Sequence, residues 1–113
     1  MIIVLTTSPT AADGEALAEK IIGARLAACV QVLPQMRSVY LWEGTVQKES
    51  EHLLLIKTIA EKWGAIKEFI AANHNYDVPE IVAIDAQAAD PYLVWLTAEL
   101  TIESQSVKPI TDN

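Results

Sequence analysis

Soft donor side chains are scarce in this chain: two histidines, His52 and His74, one cysteine, Cys29, and, beyond the first residue, one methionine, Met36. Cys29 lies in an apolar run, where a poorly ionised thiol serves as a core residue. As a copper ligand it would need a second soft donor such as Met36, whose flexible thioether is more simply a gap filler. Both are expected to be structural. His74 stands in Asn73-His74-Asn75 after an apolar helical repeat, where an imidazole can end a helix or present a neutral nitrogen to a metal. Lys57, Tyr76 and Glu80 are polar residues inside apolar blocks, and Trp42 ends a strand beside a turn. These four are candidates for lining a ligand-binding or intersubunit cleft. The alternative for Lys57 and Glu80 is an ion pair that fixes subunit register. Glu49 and Glu51 have the alternate spacing that puts both carboxylates on one strand face, where they read as solvated or interface charges.

No nucleophile set accompanies these residues. There is no Gly-x-Ser-x-Gly, no cysteine beside a base and no glycine-rich phosphate loop, so the chain reads as a binding protein and not an enzyme. A net charge of −7 without a Lys/Arg cluster argues against a nucleic-acid partner, because phosphate binding needs grouped cations. It favours cations weakly. One cysteine cannot close an intramolecular disulfide, so the cytoplasm is the expected location. The apolar run over residues 1–7 lacks a basic leader and is too short for a signal segment or a membrane span.

The elements that must position these side chains follow from periodicity. Residues 2–6 form a continuous β-branched run. Ser8-Pro9 then offers a helix N-cap followed by proline at the first helical position, and Leu17, Ile21, Ala24 and Ala28 mark one helical stripe. Residues 29–33 read as a short strand stopped by Pro34. Residues 38–42 and 45–58 read as a hairpin turning at Glu43-Gly44. Drawn out at ~3.3 Å per residue, the second hairpin strand would run about 46 Å. That exceeds a compact core, so it must be bulged or project towards another subunit. Thr58-Ile59-Ala60-Glu61 fits a capping box before a helix carrying Trp63, Ile66, Phe69 and Ile70. A strand over residues 80–85 follows, and Asp90-Pro91 opens a last helix.

The order is βαββαβ plus a C-terminal helix: an α+β, ferredoxin-like split βαβ sandwich with sheet order 4-1-3-2. At 113 residues it fits one domain over residues 1–100, followed by a polar tail over residues 101–113.

The blocks Arg25-Leu26-Ala27-Ala28-Cys29-Val30-Gln31-Val32-Leu33-Pro34 and Ser38-Val39-Tyr40-Leu41-Trp42-Glu43-Gly44 resemble the signature of the CutA divalent-cation tolerance family. Three further blocks fall in the family's order: Glu51 with Leu55-Ile56-Lys57-Thr58, then His74-Asn75-Tyr76-Asp77-Val78-Pro79-Glu80-Ile81, then Tyr92-Leu93-Val94-Trp95-Leu96. The resemblance implies a homotrimer similar to the PII signalling proteins, with long hairpins packed on neighbouring subunits. It also implies tolerance of copper or another divalent cation, with no metal required for folding. The alternative it leaves is a signalling or scaffold trimer that binds a small ligand or partner protein in its clefts. Copper sites of bacterial relatives resemble a cysteine at the end of the first strand joined by two adjacent histidines. Here Thr6 and Asn73 stand at two of those positions, which leaves His74 as the one matching ligand.

Overall fold

The computed structural model describes residues 1–101. Strand β1 (Ile2–Ser8) leads to helix α1 (Ala11–Gly23), then β2 (Cys29–Val32), β3 (Met36–Trp42) and β4 (Thr45–Thr58). A 3-10 turn (Ala60–Lys62) opens helix α2 (Trp63–Asn73), followed by β5 (Val82–Asp85) and helix α3 (Asp90–Thr101). The tail expected beyond Thr101 lies outside the described residues.

Every strand pairing is antiparallel, in the order β2-β4-β1-β5, with β3 pairing β4 off that path. This is the ferredoxin-like order the pattern predicts: last strand beside the first, first beside the long hairpin strand. Strand alternation turns Ile2, Val4, Leu54 and Ile56 to one face, where Leu17 and Ile21 of α1 and Ile66 and Ile70 of α2 close over them.

Strand β4 serves two neighbourhoods. Its residues 52–58 pair with β1 and residues 54–57 with β2, whereas residues 45–51 pair with β3 alone. It runs through all 14 residues as one element, so its length is taken up by projection. The molecule measures 56 × 27 × 25 Å with a radius of gyration of 15.8 Å, against about 13 Å for a compact chain near this size. The turn at Glu43 (φ 51°) and Gly44 (φ 80°) has both residues left-handed, which matches the twist of a two-residue hairpin. The projecting ribbon leaves Val39, Leu41 and Val46 exposed by 64%, 70% and 60%.

Three helix boundaries differ from the pattern. Ser8 ends β1, and Thr10 is the N-cap of α1, its Oγ1 accepting from the Asp13 N–H at 3.0 Å. Helix α1 stops at Gly23, short of Ala28. Leu26 N–H reaches back to the Ile21 carbonyl and Arg25 N–H to that of Ile22, with Arg25 left-handed at φ 61°, a Schellman closure. The Thr58 hydroxyl donates to the Leu26 carbonyl at 2.6 Å. It therefore ties β4 to the α1 exit, and Ile59 caps the 3-10 turn without a side-chain bond.

Two helical glycines test this packing in opposite directions. A methyl group on Gly14 would lie 2.7 Å from Ser8 Oγ, 3.2 Å from Val32 Cγ1 and 3.3 Å from Leu54 Cδ1, whereas at Gly64 it would meet nothing within 4 Å. The Ser8 hydroxyl already donates to the Thr10 carbonyl at 2.9 Å, so it cannot swing aside freely. Gly14→Ala is expected to lower stability, the overpacking cost of about 1–3 kcal/mol exceeding a helix-propensity gain of about 1 kcal/mol. Gly64→Ala should raise it by about 0.4–1 kcal/mol. Thermal midpoints that shift upward in both variants would contradict the close approach at Gly14.

Candidate functional site

Where the ribbon leaves the core, β3 and β4 face the loop after α2 across a cavity of about 640 Å³. Its walls carry four carboxylates, Glu49, Glu51, Asp77 and Glu80, and three rings, Tyr40, Trp42 and Tyr76; among the described residues, no lysine, arginine or histidine lines it. Alternation along β4 places Glu49 and Glu51 on one face, and β3 brings Tyr40 opposite Gln47, diagonal to Glu49. The Tyr40 hydroxyl donates to Glu49 Oε1 at 2.7 Å, and the Tyr76 hydroxyl donates to Glu51 Oε2 at 3.0 Å.

Glu51 is only 7% exposed, so it is a buried acceptor and not a solvated charge. Burial first, and then the bond to Glu51, push the Tyr76 phenol well above the usual tyrosine range. The bond to Glu49 is the main cause of a rise at Tyr40. Both phenols are therefore held protonated, as hydrogen-bond donors to the carboxylates beside them.

Tyr76 is held from behind. Its N–H donates to His74 Nδ1 at 3.0 Å, the two rings lie 4.7 Å apart, and His74 Nε2 hydrogen-bonds the Thr7 carbonyl. Asn73 turns its amide back to the Phe69 carbonyl at 2.8 Å, closing the last turn of α2.

Of the four cleft candidates, the structure gathers Trp42, Tyr76 and Glu80 and separates Lys57. Lys57 pairs with Ile3 and Cys29, and its Nζ lies 5.7 Å from the Tyr92 ring centroid. Glu80 lines the cleft beside Thr7, four residues further along β1 than Ile3. That offset, about 13 Å along the sheet, keeps Lys57 and Glu80 from pairing within one chain as the sheet order alone suggested. Cys29 is half-buried, and the Tyr92 phenol near it is raised by burial first and then by the charge interaction with Cys29. Met36 pairs with Glu51 while Cys29 pairs with Lys57, so the two sulfurs are about 20 Å apart along β4 and form no shared site. Tyr40 and Asp77 carry no individual signal in the sequence beyond the longer blocks that contain them. The signal that could have found Tyr40 is the hairpin register, which sets it diagonal to Glu49.

Residues 2–99 match the model of the CutA1 divalent ion tolerance protein family. The chain belongs to that family. It is 46% identical over 96 residues to the rice protein "Protein CutA 1, chloroplastic", spanning 84% of this chain and about half of the relative (54%). It is 38% identical to the divalent-cation tolerance protein CutA of Pectobacterium atrosepticum over 88% of this chain and 91% of that one. A solved structure of a point variant of CutA1 from Pyrococcus horikoshii OT3 superposes with a TM-score of 0.84 at 37% identity, covering 88% and 97% of the two chains.

CutA1 membership makes the donor set worth testing against a metal. Among the described residues, no three His, Cys, Asp or Glu side chains converge on a cation position. His74 has a partner on each ring nitrogen, so the reading of it as a copper ligand does not fit this geometry. Thr6, at the position of the bacterial cysteine, is fully buried on the core face, and its Oγ1 has no hydrogen-bond partner among the described residues. That orphaned hydroxyl carries an unrecovered desolvation cost. Thr6→Val should therefore raise stability by about 1 kcal/mol, read as a higher denaturant midpoint. A lower midpoint would show that the hydroxyl is satisfied. No described helix is long and apolar enough to cross a membrane.

Proposed function

We propose that this CutA1-family protein is a non-catalytic homotrimer of the cytoplasm that holds cations in the acidic cleft at the root of its hairpin. The observation that carries this reading is the lining: four carboxylates and three aromatic rings, with no basic residue among the described residues that form it. Such a wall attracts positive charge and repels anions, which turns the small-ligand alternative towards cationic ligands. All of its donors are oxygens, a set suited to hard divalent ions more than to copper, which favours imidazole and sulfur. Because three ligands do not converge among the described residues of one chain, coordination in this reading is completed by a neighbouring subunit. The apolar ribbon and the half-exposed Val82 and Ile84 of β5 supply the surface such assembly would cover.

The rings also favour a second reading. Trp42, Tyr40 and Tyr76 offer π faces to an organic ammonium ion, as a ligand-responsive signalling trimer would use.

Light scattering should give the mass of three chains at micromolar concentration; a monomer overturns the trimer. Calorimetric titrations with Mn(II), Cu(II) and putrescine then separate the cation readings. Mn(II) heat that Glu51→Gln abolishes supports the metal form, and putrescine heat that Trp42→Ala abolishes supports the organic one. Heat from neither overturns both.

A further inference from the structure

We infer that His74 is a positioning residue: a neutral, tautomerically fixed clasp that joins the post-α2 loop to β1 and presents Tyr76 to Glu51. The backbone N–H of Tyr76 can only donate, so His74 Nδ1, its partner at 3.0 Å, is the unprotonated nitrogen. The Thr7 carbonyl can only accept, so Nε2, its partner, carries the proton. The two backbone groups together dictate one tautomer.

The sheet explains why a donor is needed at Thr7. Leu53, opposite Thr7 on β4, gives its carbonyl to Leu33 N–H at 2.9 Å on the β2 side. Thr7 therefore turns its own carbonyl away from β4, towards β5. Pairing between β1 and β5 ends at Leu5 with Val82, which leaves the Thr7 carbonyl beyond the last rung. A partly buried carbonyl left there without a donor would be costly. The imidazole N–H takes the place of the missing strand. The same ring fixes the Tyr76 backbone two residues later, and the Tyr76 hydroxyl reaches Glu51 Oε2 at 3.0 Å. One side chain thus links β1, the loop and the buried carboxylate of the cleft.

The inference is independent of what the cleft binds, and nitrogen-resolved NMR of the full chain tests it. His52 provides an internal contrast, because its Nδ1 meets the Leu33 carbonyl at 2.9 Å and must be the protonated nitrogen. Wild-type spectra should show opposite tautomers: Nε2–H at His74 and Nδ1–H at His52. An averaged or Nδ1–H pattern at His74 overturns the clasp.

Two variants then separate its arms. His74→Asn keeps an acceptor near the Nδ1 position, and His74→Gln keeps a donor near the Nε2 position. Tyr76 amide exchange should be about two- to tenfold faster in H74Q than in H74N, the worth of one hydrogen bond. Contacts between the Tyr76 ring and Glu51 should persist in H74N and weaken in H74Q. Protection at Val4 and Ile56 serves as the control for an intact fold. Equal Tyr76 exchange in both variants and wild type overturns the positioning role. One equivalent of Cu(II) should leave the His74 ring signals sharp, and their selective loss would show a nitrogen free for metal.

Discussion

Truncating Ile56 to alanine should lower the unfolding free energy by about 2–5 kcal/mol. Ile56 is fully buried in the middle of β4, paired with Val4 on one side and Val30 on the other. Ile56 itself is held by ladders on both sides and covered by Leu17, Ile21, Ile66 and Ile70 of the helices, so its backbone cannot shift into the space left behind. The cost then includes the cavity as well as the lost burial of the side chain. Ile56→Val removes one methylene group and should cost about 0.5–1.5 kcal/mol. Denaturant unfolding at one fixed protein concentration gives both values. Similar losses in the two variants would mean that this part of the core closes over missing volume.

Tyr76→Phe is expected to cost about 1.5–3 kcal/mol near neutral pH, because it strips a donor from a carboxylate that is almost wholly buried. The packing of the ring is retained, so the loss reports the hydroxyl. Its pH dependence has a defined sign. The folded phenol holds its proton to higher pH than the unfolded one, whose pKa is about 10. The stabilisation it contributes is complete below that value and drains away as pH climbs from the unfolded towards the folded pKa. The gap between wild type and Y76F should therefore narrow above about pH 10. Tyr92, also raised, remains in both proteins and cancels in the comparison, whereas Tyr40 acts on Tyr76 electrostatically and forms part of the measured gap. A gap that stays constant into strongly alkaline solution would count against the Tyr76 to Glu51 bond.

Periodicity revealed most of the fold, because alternation and helical spacing report burial directly. The strands around Val4, Ile56 and Val82, and the stripe through Ile66 and Ile70, were legible in this way. Boundaries set by tertiary partners were not. Thr58 looks like a capping residue in sequence, but its hydroxyl is claimed by Leu26 from 32 residues earlier. Arg25 takes a left-handed conformation usually given to glycine, so no residue type announced the end of α1.

The cleft was half legible. Trp42, Tyr76 and Glu80 stood out as polar or aromatic residues in apolar blocks, yet so did Lys57, which the register sends to a different part of the sheet. Composition cannot distinguish such cases, because the offset between strands decides which side chains meet. His74 was visible as a residue of interest for its chemistry. Its actual bonds run to two backbone groups, and backbone direction is not written in side-chain types.

The uninterrupted β4 makes the ribbon a lever without a hinge. A flexible arm would dissipate a pull at its tip, but here any torque on Trp42 or Val46 passes along one hydrogen-bonded strand to Ile56, between two partners at the centre of the sheet. The arm also works as a ruler. Adding two residues to each of its strands extends its reach by about 6–7 Å and leaves every side chain on its original face. Adding one to each inverts the tip relative to the core. Changes of arm length that preserve the cleft are therefore quantised in pairs.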